Sequence, residues 1–446
     1  MPIFSLRRLS LMFEELSSFL DDRKRNDLRR RLDHIDTKTA LAAEAELSML
    51  WAISRVADME PEPKLEGGRR PEAKSNELFA SGPSVIEVRA LSDHSFSGKE
   101  AMDRTANIVS AHVDHICKRG RNKGAGAHLF FEFEEHSYWD KSFHRERCVD
   151  PEFKLTDETK ERLRLWTRMP NWPSVDPIRI VDGKTRMVIS WREVAVEGFR
   201  TFCRMPPVAY DLEDNPIYKA LKEKSGQVKN ATDGTLRCVI LVDAGCSLLR
   251  WLRPMSAVHE VSGDAIIRHA IRKRSIDVVI VISPHRQQEL VFTTQSTLHW
   301  NITCFDRRLV IPEGEYDRIR SMAEQLPRPR LEGYQARDLH RQRMFEIGHT
   351  SWNLPTKIVT RAGGIMTIKL SAGLLHQYLA GMVDAEQFSD KAFDSRGNPF
   401  TGQLQRGHTI QNVRFESGGV DEDDDYVVFD LDLDFPKQNR RNSGGD

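Results

Sequence analysis

Apolar positions recur at helical spacing through the first part of the chain. Leu6, Leu9, Phe13, Leu16 and Leu20 lie three to four residues apart and predict helix within residues 1–36. The basic run Arg23–Arg31 (RKRNDLRRR) falls in the same stretch. It reads as a solvated helix face, with a phosphate-contacting arm as the alternative. A second helix is expected from Thr37 to Met59, with Leu41, Ala45, Met49, Ala52 and Val56 as its stripe. Leu47, Leu50, Trp51 and Ile53 widen that stripe enough to bury the helix, and Pro61 and Pro63 end it. Glu44 and Glu46 lie at the apolar margin. An acid there is ordinarily exposed, but Glu46 shares its face with Met49, Leu50 and Ile53 and is expected to turn inward.

The rhythm then changes. Val85 to Arg89 (VIEVR) reads as a short buried strand, preceded by the turn Ser81-Gly82-Pro83-Ser84 and a weaker extended segment ending near Phe79. A long helix is expected from Ser97 to about Lys118, then a basic Gly-containing loop at 118–124, then a buried strand His128–Glu134. The H-x-x-H pair His112 and His115 lacks the glutamate of a zinc-protease helix and reads as surface histidine. Residues 136–230 are short segments rich in Trp and Pro, with a strand at Arg186–Trp191 and a polar, weakly helical stretch at 215–229. The tryptophans read as core anchors.

Leu236 to Arg330 reads as a second α/β unit. Cys238–Ala244 and Ile276–Ser283 are continuous apolar runs around the helix Gly263–Arg274, the signature of a parallel βαβ unit, followed by a strand at Trp300–Phe305 and a helix at 315–325. Asp243, Gly245 and Ser247 sit at a strand's carboxyl end, where α/β sheets bind ligands, but an Asp capping its own turn is the favoured reading. The Arg- and His-rich stretch 331–350 reads as a connector. The last hundred residues form a small α+β region, in which the acidic run Asp421–Asp425 reads as a solubilising hairpin loop, and the tail 437–446 as unstructured.

Composition adds exclusions. The 446 residues are 39% hydrophobic and 30% charged, and 66 basic residues balance 66 acidic ones, so any basic footprint for nucleic acid is local. Six cysteines are scattered with no C-x-x-C pair, which points away from zinc or a disulfide framework and toward a reducing cytoplasm. No apolar run approaches the eighteen or so residues of a membrane span. The N-terminal segment, broken by Glu14 and Glu15, does not read as a signal peptide.

The candidate chemistry lies in the hairpin. Side chains two apart on a strand share a face, so Glu87 and Arg89 point the same way. The hairpin brings Glu72 back toward Glu87. Paired carboxylates beside a cation suit a hard divalent metal and a phosphodiester. Pro71-Glu72, a spacer, then Glu87-Val88-Arg89 resembles the PD-(D/E)xK motif of the restriction-endonuclease-like nuclease superfamily. The resemblance covers residues 38–135 and departs from the family at two positions: Glu72 stands for Asp, and Arg89 for Lys. It implies Glu46, Glu72, Glu87 and Arg89 as catalytic residues. Glu72, Glu87 and the Val88 carbonyl would ligate Mg²⁺, with Mn²⁺ as the alternative. It also implies a nuclease acting on nucleic acid, DNA favoured, plausible in bacterial anti-phage or restriction defence, as a homodimer or with other subunits. Arg89 cannot act as a base; it favours the alternative, an inactive nucleic-acid-binding or scaffold subunit. The expected fold is α/β: a nuclease-like mixed sheet flanked by helices (37–150) after an N-terminal helical segment (1–36). A connecting region (151–230), a second βαβ domain (231–330) and a C-terminal α+β region (331–436) follow.

Overall fold

The structure is a computed structural model. It describes residues 4–34, 37–93, 96, 98–117, 125–140, 142–192, 200–203, 208–253, 260–288, 296–308, 310–329, 354, 356–360, 366–393 and 397–433. The basic loop 118–124, the stretch 331–350 and the tail lie outside these residues. The chain divides into two compact units, residues 12–337, and residues 1–11 with 338–446. The fold is mixed α/β. Among the described residues no helix is long and apolar enough to cross a membrane.

The larger unit is built on a six-stranded mixed sheet. Helices α1 (Leu6–Leu16), α2 (Asp22–Leu32) and α3 (Thr37–Ser54) precede strands β1 (Glu60–Pro61), β2 (Ala73–Phe79) and β3 (Gly82–Leu91). Helix α3 is buried on most sides, Glu44 and Glu46 included, and packs against β3. It ends at Ser54, before the expected Met59, and Asp58 turns to accept the Ser75 hydroxyl at 2.8 Å and the Asn76 amide at 2.9 Å.

Residues 99–203 then form an inserted body. Helix α4 (Lys99–Ile116) and strand β4 (Leu129–Phe133) come first, then the hairpin β5 (Glu135–Asp140) and β6 (Ser142–Arg147). Helix α5 (Asp157–Thr167) and strands β7 (Ile178–Asp182), β8 (Thr185–Trp191) and β9 (Arg200–Cys203) complete its layers. Its sheet has the order β7-β8-β4-β9. Trp166 and Trp172 meet edge to face in its core, as expected of anchors, whereas Trp139 is exposed.

Helix α6 (Pro216–Val228) returns the chain to the main sheet as β10 (Leu236–Asp243). Then come the short α7 (Ser247–Arg250), α8 (Gly263–Lys273), β11 (Val278–Gln288), β12 (Ser296–Asp306) and α9 (Asp317–Gln325). The main sheet runs β1-β2-β3-β10-β11-β12, with β3, β10 and β11 parallel and β12 antiparallel to β11.

This corrects two expectations. The strands after Leu236 do not form a second sheet; they extend the one that carries the motif. The strand expected at His128–Glu134 within the nuclease-like domain, observed as Leu129–Phe133, lies in the inserted sheet instead. Burial explains the exchange. Val85 to Val88 are buried consecutively, so β3 needs neighbours on both edges and cover on both faces, as do the equally apolar β10 and β11. In β4 only alternate residues, Leu129, Phe131 and Phe133, are buried, which suits a sheet covered on one side. Parallel pairing of β3 with β10 also requires a crossover. Helix α6 supplies it, capped by the Asn215 side chain and started by Pro216. Across this pairing Glu87 registers with Val239 and Arg89 with Leu241. Val239 and Leu241 pack with Ile217 and Leu221 of α6 and Ile267 of α8.

In the smaller unit, β13 (Lys357–Thr360), β14 (Met366–Ser371), β15 (His408–Glu416) and β16 (Tyr426–Leu433) form an antiparallel sheet ordered β13-β14-β16-β15. Ile368, Leu370, Leu374 and Leu431 fill its core. The acidic run is not a free loop. Asp425 and Asp421 accept from Arg7 and Arg8 at 2.8 Å each, and Asp424 accepts the Gly373 amide at 2.9 Å.

Candidate functional site: carboxylates bridged by two lysines

Glu72 immediately precedes β2 and Glu87 lies in the middle of β3. Antiparallel pairing, which sets Ala73 opposite Ile86, brings the two acids to adjacent positions. Helix α6 crosses behind them. Its buried stripe Ile217, Leu221, Lys224 and Val228 directs Lys224 inward. The Lys224 Nζ lies 2.5 Å from Glu87 Oε2 and 3.4 Å from Glu72 Oε1.

A second lysine closes the cluster. Lys24 sits in the first turn of α2, whose N-cap Asp21 accepts the Lys24 amide at 2.7 Å. Its side chain is 6% exposed, with Nζ 2.5 Å from Glu46 Oε1, 2.9 Å from Glu72 Oε2 and 3.1 Å from Glu62 Oε1. Glu46 comes from α3, and its other oxygen accepts from Arg31 at 2.7 Å. Glu62 follows β1 and extends its pairing, donating its amide to the Glu72 carbonyl at 3.0 Å. Its φ of 45° lies in the left-handed region, which costs a non-glycine residue about 1–3 kcal/mol. The cluster is thus a continuous chain: Arg31, Glu46, Lys24, Glu72, Lys224, Glu87.

The electrostatics follow from burial against pairing. Burial pushes Glu87 up to about 7, the Lys224 ammonium pulling it partway back. Burial and the neighbouring Glu46 raise Glu72 despite Lys24 and Lys224. Burial acts on Glu46 too, but Arg31 and Lys24 outweigh it and hold that carboxyl below its usual range. Burial alone would lower Lys24; Glu46 and Glu72 reverse the sign and raise it.

Three of the expected residues, Glu46, Glu72 and Glu87, therefore come together through the lysines. Arg89 stands apart. It shares Glu87's face, but its guanidinium pairs with Glu223 at 3.3 Å and is about one-third exposed. Val88 is buried in β3, in register with Ile240. Sequence reasoning missed Lys24, Glu62 and Lys224. The signals were there: Lys24, Leu28 and Arg31 lie on one helical face inside the run taken as solvated, and Lys224 interrupts an apolar stripe.

The donor set is hard carboxylate oxygen, the chemistry that suits Mg²⁺. Among the described residues no three His, Cys, Asp or Glu are arranged around a metal position. The oxygens close on ammonium groups, with the Lys24 Nζ between Glu46 and Glu72.

The other candidate acid behaves as a cap. Asp243 Oδ1 accepts the Gly245 and Cys246 amides at 2.8 and 2.6 Å, and Ser247 donates to Asp93. Burial raises Asp243 to about 6. No family model, no curated protein and no solved structure matches the chain.

Proposed function

We propose that the chain is a metal-dependent nuclease of the restriction-endonuclease-like type, acting on nucleic acid with DNA as the favoured substrate. The observation that carries this is the meeting of Glu72 and Glu87 on Lys224, at the hairpin predicted from the motif. The order α3, hairpin β2–β3, α6, β10, with α4 to β9 inserted before α6, adds support, because helix, hairpin, helix and strand is the order the resemblance implies. Lys224 takes the place expected of Arg89. It is a compact donor beside the second acid, which suits a phosphate oxygen.

Glu72 and Glu87, with the Val88 carbonyl and Glu46, would hold Mg²⁺. When bound, the ion supplies Lewis-acid stabilisation of the phosphate charge. Lys24 would have to leave the carboxylates for a divalent ion to enter. Cleavage of DNA or RNA by the purified protein with Mg²⁺ or Mn²⁺, lost in Glu87→Gln, tests the reading. Binding without cleavage by the wild type rejects it.

A second reading rests on the same lysines. Lys24, Arg31 and Lys224 pair with all three carboxylates, as in a nuclease fold that kept its architecture and became a nucleic-acid-binding or scaffold subunit, within a defence complex or elsewhere.

A further inference from the structure

A cleft of about 670 Å³ opens at the inserted body, between the β5–β6 hairpin, the β7–β8 turn and the start of α6. None of Lys24, Glu46, Glu72, Glu87 or Lys224 lines it, so it is distinct from the carboxylate cluster. Its volume is that of a small-ligand site, for which about 300–1,000 Å³ is typical.

The acids on its walls are already committed. Asp214 holds Lys219, Asp211 accepts the Glu213 and Asp214 amides, and Glu146 accepts the Tyr138 hydroxyl at 2.8 Å. Among the cations, Lys219 is held by Asp214 and Arg145 by Glu135. Lys184 and Arg186, flanking Thr185 at the β7–β8 turn, are exposed and make no side-chain hydrogen bond or ion pair among the described residues. Arg147 also lines the cleft. The uncommitted charge of the cleft is therefore positive. Tyr210 also lines the cleft and supplies an aromatic surface, braced edge to face by Phe143 at 5.0 Å.

We propose that this cleft binds a nucleoside monophosphate, its phosphate on Lys184 and Arg186 and its base against Tyr210. Two adjacent cations from one turn suit a phosphate monoester, and the volume suits one nucleotide.

The test is calorimetric titration of the full-length protein with AMP, GMP, CMP and UMP, each to about 1 mM, in EDTA. EDTA removes any dependence on cleavage, so failure here leaves the nuclease reading untouched, and the reverse. At least one nucleotide is expected to bind, with the matching nucleoside at least about tenfold weaker. The double variant Lys184→Glu, Arg186→Glu is expected to lose at least about tenfold in affinity with an unchanged melting temperature, both side chains being exposed. Absence of binding by all four nucleotides overturns the proposal. So does equal binding of nucleoside and nucleotide, or full affinity in the double variant. A 5′-phosphorylated trinucleotide that outcompetes the mononucleotide overturns the assignment to a free nucleotide.

Discussion

The Lys224 ammonium lies 2.5 Å from the Glu87 carboxylate, although 137 residues separate them in sequence. Both side chains are buried, and the lysine also reaches Glu72. Removing one partner of a buried pair leaves an uncompensated charge and costs about 3–5 kcal/mol. Lys224→Met is expected to lower unfolding free energy by that order, read by urea denaturation. If the nuclease reading holds, it also abolishes cleavage, whereas Arg89→Ala keeps activity within a few-fold. Loss of cleavage in Arg89→Ala with retention in Lys224→Met would reverse the assignment of the two cations.

Lys24 gives a prediction that needs no activity. Lys24→Met leaves Glu46 and Glu72 without their shared ammonium and is expected to lower the melting temperature in EDTA. Mg²⁺ or Ca²⁺ at millimolar concentration is then expected to restore it, because ligand binding to the folded state alone stabilises by mass action. The wild type, with Lys24 in place, should respond less. A variant as unresponsive to divalent ions as the wild type would count against these carboxylates as a cation site.

Glu87 sets a pH dependence with a definite sign. Its folded value is about 7, above the roughly 4.3 of an unfolded glutamate. Between those values the folded chain binds the extra proton, so its contribution to stability is intact at low pH. That contribution falls as pH rises through 7. Glu87→Gln does not titrate. The melting temperature of the variant relative to wild type should therefore climb from pH 5 to pH 8, toward a full difference on the order of 3 kcal/mol. A difference flat across that range, or falling, contradicts the burial-driven shift.

Arg7 and Arg8 tie residues 4–8 to the acidic run, Arg7 to Asp425 and Arg8 to Asp421. These pairs are partly exposed, so each is worth at most about 1 kcal/mol and is screened by salt. The double variant Arg7→Ala, Arg8→Ala is expected to destabilise the smaller unit by about 1 kcal/mol at low salt and by less at 0.5 M, measured by hydrogen exchange over β14 and β16. Unchanged exchange at both salt concentrations would remove the acidic run from any fastening role.

The acids of the cluster were legible because their setting is local. Glu87 stands inside a β-branched run, Glu72 precedes its hairpin partner, and Glu46 shares a helical face with Met49 and Ile53. The lysines were not, because nothing local separates a buried Lys from an exposed one; a lysine is buried only when carboxylates wait for it, and those come from distant elements. The same limit governed the sheet. The sequence around β4 and around β10 both read as strand, and only cover on the second face, supplied by α6 and α8, decides which lies beside β3.

The separation of β3 from β10 has a consequence during synthesis. The hairpin that carries Glu72 and Glu87 leaves the ribosome well before Lys224 exists. At about 5–20 residues per second, on the order of ten seconds pass before α6 and β10 arrive. Through that interval two carboxylates and an open, β-branched strand edge lack their eventual neighbours. The nascent chain must survive as an unfinished sheet until the insertion has been made, so codon-level slowing within residues 92–235 should raise aggregation more than slowing after β12.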